Sequence, residues 1–306
     1  MRQDDSHWRT GALLALTTAM IWGMLPLGLE VALTELDPWS LVWWRFTGAA
    51  VIFGLWLHAR GQLPSPRTFT RRTWIWLGIA VFGLTSNYVT FVIGMQLTSP
   101  AVAQLVIQVA PLILLAAGVL AFGERLSAAQ SLGVALLVGG LLLFFNRRLP
   151  ELLQTSTRLG LGVLLIVAGA IGWALYGVAQ RHTSRQLGSL QTLWLLCIGC
   201  AIVVTPLAHP LELQHASPPA LVAVAFCVLN TVFGYGSFGL ALERWQVSRV
   251  TALTALAPLL TLLFVWLSVH AGLGWVRPEP LNALSWAGAL LVVGGSALAA
   301  LAARRR

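Results

Sequence analysis

The sequence contains no lysine and little charge of any kind. Its nineteen basic residues are all arginine, its acids number ten, and charged residues make up 9% of the 306. An ordinary soluble domain carries about 25%. So little charge covers neither the surface of a water-soluble globule nor a disordered chain, and both classes are excluded. A net charge of +9 would point to nucleic acid in a polar protein. Here the arginines stand between long apolar runs, so they read as flanks of membrane segments and no nucleic-acid partner is expected. The exclusive use of arginine fits a coding bias in a chain rich in Ala and Leu. Three cysteines make no disulfide framework. Cys197 and Cys200 form a CxxC inside an apolar run, with no second pair and no neighbouring histidine, and read as small apolar helix residues. A cleavable leader is not expected, because Asp4 and Asp5 spoil the basic start and the first apolar run is too long.

Catalytic signatures are missing as well. There is no DDxxD and no HExxH, and Ser237 lies in GYGSFG, which does not form GxSxG. His270 is near the end of an apolar run, and the other histidines lie in termini, loops or run ends. We therefore expect no enzyme, no catalytic residue, no metal and no cofactor.

What the chain has is length in apolar runs: 58% of its residues are hydrophobic. A bilayer core about 30 Å thick needs roughly 20 apolar residues per helix. Ten runs of about that length occur, at 11–33, 38–58, 74–96, 98–121, 128–146, 159–181, 188–209, 219–243, 248–271 and 284–303. Backbone groups in lipid must be satisfied internally, so runs without strand alternation are helices. With the N-terminus in the cytoplasm, fourteen arginines fall inside and four outside, Arg45 lying within a span. That bias places both termini in the cytoplasm. The loop 147–158, with three arginines on the outer side, is the weakest fit.

The second half repeats the first. AMIWG at 19–23 aligns with AIGWA at 170–174, and the same shift of 151 puts Trp43 on Trp194. NYVTF at 87–91 aligns with GYGSF at 234–238, and that shift of 147 puts Pro111 on Pro258. Residues 124–140 align with 279–295 at a shift of 155. The repeat units are therefore 1–146 and 159–306, joined by 147–158. Each holds five crossings, an odd number, so the second copy enters the membrane from the opposite side. The expected architecture is all-α: ten transmembrane helices as two inverted five-helix repeats around a central cavity. Inverted repeats are a signature of transporters, with the solute site near the bilayer midplane.

The stretch GERLSAAQSLGVALLVGGLLL (123–143), the Trp22-Gly23 of the first span, the Arg45-Phe46 of the second and the Ala110-Pro111 of the fourth resemble the EamA-type drug/metabolite transporter superfamily. The resemblance covers essentially the whole chain as two tandem units. It implies ten helices around a central cavity, lined by spans 1, 3, 4, 6, 8 and 9, with 5 and 10 peripheral. It also implies export from the bacterial cytoplasm of amino acids, other metabolites, sugar-linked compounds or drugs. The chain departs from its relatives at Glu30, where many carry Lys. It departs again at Leu196, which aligns with Arg45, and in eight extra residues around 272–279 that include Trp275 and Arg277.

Polar residues inside the spans are costly and mark candidate sites. Gln104, Gln108 and Pro111 share one face of span 4, matched in span 9 by Thr251, Thr254 or Ala255, and Pro258. Asn87, Thr90, Phe91 and Gly94 share a face of span 3, and Asn230, Gly234, Ser237 and Ala241 one of span 8. These stripes suit either a solute cavity or hydrogen bonds between packed helices. Trp22 with Trp173, and Tyr88 with Tyr235, are aromatic repeat mates placed mid-span rather than at an interfacial belt. Glu30 and Arg45 are expected to pair a turn or two below the outer surface, as a structural or gating ion pair. Glu124 and Glu279, ahead of spans 5 and 10, suit helix N-termini. Pro111 and Pro258 are expected to bend their helices. With no charge expected at mid-membrane, a neutral or zwitterionic solute such as an amino acid or related metabolite suits the interior. The alternative is proton-coupled efflux of cationic or hydrophobic drugs. The expected partners are a small molecule and the lipid bilayer of the bacterial inner membrane. One chain holds both halves, so a monomer suffices, although a homodimer is compatible.

Overall fold

The computed structural model describes residues 3–122, 126–183, 187–276 and 281–302, and among them every regular element is helical. α1 (Gln3–Ala32), α2 (Pro38–Ala59) and α3 (Arg71–Leu97) each cross in one piece. The fourth crossing is split into α4 (Pro100–Val106), a 3-10 turn at Ile107–Val109, and α5 (Ala110–Phe122). α6 (Ala128–Phe144) closes the first half, and a single turn, α7 (Leu149–Leu152), lies in the connection. The second half runs α8 (Arg158–Thr183), α9 (Ser189–Val204) and α10 (Pro218–Arg244). Its split crossing is α11 (Val247–Thr254) and α12 (Ala257–His270), and α13 (Ala283–Leu301) ends the chain. Among the described residues nine crossings are long and apolar enough to span a membrane, and α6 supplies a shorter apolar tenth.

The molecule is an all-helical integral membrane protein, and its outer faces are apolar where water would require polarity. Leu55, Phe82 and Val222 are each about two-thirds exposed, which suits contact with acyl chains. Helix ends use polar caps: Asp37 accepts from the amides of Trp39 (2.7 Å) and Ser40 (3.1 Å) at the start of α2. Ser127 with Gln130 forms a capping box on α6, and Asn282 accepts from the Ser285 amide (2.8 Å) on α13. Ser127 and Asn282 are repeat mates. Glu124 and Glu279 lie outside the described residues.

The halves are inverted, and the helix pairs show it directly. α2 packs on α9, its own repeat mate, in the opposite direction. Trp43 donates to the Thr205 hydroxyl (2.9 Å) near one end, Gly54 faces Trp194, and Gln191 donates to the Gln62 carbonyl (2.7 Å) at the other. α6 and α13, also mates, pack through crossed glycines. Gly133 meets Gly295 and Gly140 meets Gly288, although the repeat aligns Gly133 with Gly288. Crossed contacts between aligned residues are what a two-fold axis between the helices produces. A Cβ at Gly133 would lie 2.7 Å from the Ala299 nitrogen, and one at Gly140 2.6 Å from the Val292 nitrogen, so close backbone approach requires glycine here. The remaining contacts come in symmetric sets: α1 packs on α10 as α8 packs on α3, and α1 packs on α12 as α8 packs on α5.

The bundle has two ends. One carries Arg60, Gln62, Arg71, Gln191 and Arg244. The other carries the connections 33–37 and 205–217, and is called here the far end.

Candidate functional site

The interior polar and aromatic residues are placed by α1, α3, α8 and α10, with the two split crossings beside them. At Pro111 and Pro258 the expected bend is a break. Proline has no N–H for the carbonyl four residues earlier, so the ladder fails at Ile107 and Thr254. The backbone answers with the 3-10 turn Ile107–Val109 in one half and a turn at 255–256 in the other. The breaks face each other. Gln108 donates its side-chain N–H to the carbonyl of Ala255 (3.0 Å), its own repeat mate. That contact therefore lies on or beside the pseudo-two-fold axis.

The polar stripes reach across helices. Asn87 donates to the Gly169 carbonyl (2.9 Å), linking α3 to α8, and Asn230 donates to the Ile21 carbonyl, linking α10 to α1. The two braces are related by the pseudo-symmetry, although Asn230 sits one turn away from the residue that aligns with Asn87. Gln104 donates to the Trp22 carbonyl (3.1 Å), and Thr261 to that of Gly23 (2.7 Å). Thr251 instead bonds within its own helix, to the Val247 carbonyl (2.8 Å). Ser237 and Phe91 are half-buried, and Phe91 packs against the main core. Asn230 Oδ1 is buried with no hydrogen-bond partner among the described residues.

At the centre the aromatic mates meet. Trp22 lies edge-on to Trp173, with centroids 5.8 Å apart, and contacts Tyr235 (5.6 Å) and Phe238 (5.2 Å). Tyr235 meets Tyr88 (6.1 Å), Tyr176 (6.5 Å) and Trp173 (6.0 Å). All three tyrosines of the chain are in this one cluster. It is tight: a Cβ at Gly234 would stand 2.6 Å from Trp22 Nε1. Tyr176 and Phe238 belong to the cluster without having been picked from the sequence, and Phe46, read there only as part of the Arg45-Phe46 motif, joins them. Tyr176 had a signal, since it lies one turn from Trp173 on the same face.

The structure corrects the reading of Arg45. Its guanidinium does not pair with Glu30. Nε donates to the hydroxyl of Thr231 (3.2 Å), the central residue of α10, and the group lies 4.4 Å from the Tyr88 ring centroid. Arg45 is 2% exposed. The side chain carries the charge from the far-end part of α2 to the middle of α10, so the interior holds a cation that the placement of its backbone concealed. Glu30 is half-buried on α1.

Both ends of the bundle are tied between halves. At the far end Glu35 accepts from the Ser217 amide (2.7 Å) and hydroxyl, and Ser40 accepts from the His209 amide (2.8 Å). The Ser217 donors hold the Glu35 carboxyl below the usual carboxylate range. Burial pushes the Asp37 carboxyl up, but the Ser40 and Trp39 donors outweigh it and leave it lowered. Ligand atoms of Asp37, His209 and Glu212 lie within 4.8 Å of one another, the one group here that could together hold a cation among the described residues. Asp37 already serves as the α2 cap. At the other end Gln191 holds Gln62.

Cys197, Cys200 and Cys227 are free and buried, as small apolar residues of α9 and α10.

The chain is similar to known proteins along nearly its whole length. A Haemophilus influenzae protein named as an uncharacterized transporter is 40% identical over 95% of this chain and 94% of its own length. The Escherichia coli inner membrane transporter YhbE is 37% identical over 96% of this chain and 92% of its own. An E. coli protein named "Probable amino-acid metabolite efflux pump" is 26% identical over 94% and 93%. A crystal structure at 22% identity shares the fold with a TM-score of 0.66, covering 97% of this chain and 99% of that one. The EamA-like transporter family matches residues 9–146 and 160–301, and the chain is a membrane transporter belonging to that family.

Proposed function

We propose that the protein exports a small neutral or zwitterionic organic solute, an amino acid or related metabolite, across the bacterial inner membrane by alternating access. The repeat units 1–146 and 159–306 are the moving halves. The observation that carries this reading is the facing pair of helix breaks, bridged by Gln108 and Ala255, beside the aromatic cluster. Discontinuous helices at a repeat interface expose backbone groups to a solute at the midplane. Trp22, Trp173, Tyr88 and Tyr235 supply apolar walls, and the unpartnered Asn230 Oδ1 suits an ammonium group. The low-identity relative named for amino-acid metabolite efflux and the inner-membrane relative support the substrate class and the location. In this reading the arginine-rich end, with both termini, faces the cytoplasm. A single chain is the working unit.

The test is flux in proteoliposomes made with the purified full-length protein and labelled neutral amino acids. The expected result is saturable movement that persists when an imposed pH gradient is collapsed, and that falls in Trp22→Ala and Trp173→Ala with protein insertion unchanged. Absence of saturable movement for every amino acid overturns the reading. Drug movement that depends on the pH gradient, lost in Glu30→Gln, would establish proton-coupled efflux instead.

A further inference from the structure

Arg45 carries more charge than its surroundings answer. A guanidinium stays protonated and offers five N–H donors in a flat fork. Here Nε reaches Thr231 Oγ1 (3.2 Å), and the Thr231 hydroxyl in turn donates to the Cys227 carbonyl (2.9 Å). The Tyr88 ring lies at 4.4 Å. Among the described residues no carboxylate forms an ion pair with this group and no acceptor meets its two terminal nitrogens. A buried charge without a counter-charge is strongly unfavourable, and a ring face offsets only part of that.

The fold itself does not demand the charge. Its repeat mate, Leu196, holds the equivalent position in α9, fully buried among apolar residues. The second unit therefore packs with leucine at the position where the first carries a cation. The cation also breaks the two-fold symmetry at one point, so a ligand that uses it binds in a single orientation. Beside it, Tyr88 leads through Phe46 (4.5 Å) and Tyr235 (6.1 Å) to Trp22 and Trp173.

We propose that Arg45 binds the carboxylate of the transported solute, whose apolar body lies against the Tyr88–Tyr235 side of the aromatic cluster. The solute class is then amino acids and related zwitterions with a free carboxylate and an aliphatic or aromatic body. One guanidinium fork matches one carboxylate, whereas a phosphate ester would call for further cations. This rests on the transport reading above and narrows it.

The test compares acids with their amides on the same protein. Binding of L-phenylalanine, L-phenylalaninamide, 3-phenylpropanoate and 3-phenylpropanamide to the purified full-length protein is measured by calorimetry. Each acid is expected to bind about 10- to 100-fold more tightly than its amide, the range for a charged hydrogen-bonded contact. Arg45→Leu, which installs the residue of the repeat mate, is expected to erase that preference, and Arg45→Lys to retain part of it. Equal binding of acid and amide overturns the proposal, as does a preference that survives in Arg45→Leu. If Arg45→Leu does not fold, the acid–amide comparison on the wild-type protein decides alone. Failure of all four to bind also overturns it. Saturable amino-acid flux in that case leaves the transport reading standing, and loss of flux removes both.

Discussion

Asn87 and Asn230 each spend an amide nitrogen on a backbone carbonyl in the neighbouring half. Interhelical hydrogen bonds in membranes are worth about 0.6 kcal/mol on average and up to about 1.7. Asn87→Leu should therefore insert normally, lose stability in that range by reversible unfolding in detergent, and transport more slowly. Wild-type flux would remove the brace from the mechanism. The far-end carboxylates make a second residue-level prediction. Glu35 and Asp37 have lowered pKa values in the folded protein, so their stabilisation is complete above the ordinary carboxylate range and lost as pH falls through the lowered values. Protection of the amides in 205–217 against hydrogen exchange, relative to the intrinsic rate at each pH, should fall on acidification through that window, and Glu35→Gln should lack that protection already at neutral pH. Protection that does not change with pH would contradict the tie. Much at this scale was legible, because an Asn, Gln or mid-span Trp stands out in an apolar run. Whether the amides face a solute or a carbonyl was not legible, since both need the same residue on the same face. Arg45 was misread because sequence gives the depth of a Cα, while its side chain reaches well beyond that.

Helix breaks and glycine seams belong to the scale of elements. Pro111 and Pro258 announced an irregularity, and the missing i−4 bond explains why each break comes just before its proline. Restoring the N–H with Pro111→Ala should raise the thermal midpoint and lower turnover, read by differential scanning fluorimetry and proteoliposome flux. Unchanged turnover would make the break a passive kink. In the α6–α13 seam, Gly133→Val forces a side chain into the Ala299 backbone and should destabilise by about 1–3 kcal/mol as overpacking. A neutral effect would mean that the helices can separate freely. The ten crossings were legible from length and hydropathy alone. α7 was not, because four residues show no periodicity. The turn is held by the Arg148–Glu151 ion pair (2.9 Å) and by the Thr157 hydroxyl donating to the Glu151 carbonyl (2.7 Å).

At the scale of the molecule, an odd-numbered unit was copied and the copies pack head to tail. This was legible because the repeat leaves motifs at nearly constant shifts. The crossed glycines and the Gln108–Ala255 contact could not be foreseen, because an alignment pairs residues by equivalence and not by contact. Reporter fusions at the two termini should both place them in the cytoplasm, with the arginine-rich end, and opposite locations would refute the ten-crossing topology. In the present structure both ends are tied across the halves, Glu35 to Ser217 at one and Gln62 to Gln191 at the other. If the inverted halves alternate, loosening one end must tighten the other. The most direct measurement is the spin-label distance between Gln62 and Gly188 in lipid bilayers, with and without Glu35→Ala, which cuts the far-end tie. The account predicts that the variant shifts this distance distribution toward its short component. A distribution identical in both proteins would contradict alternation between the halves.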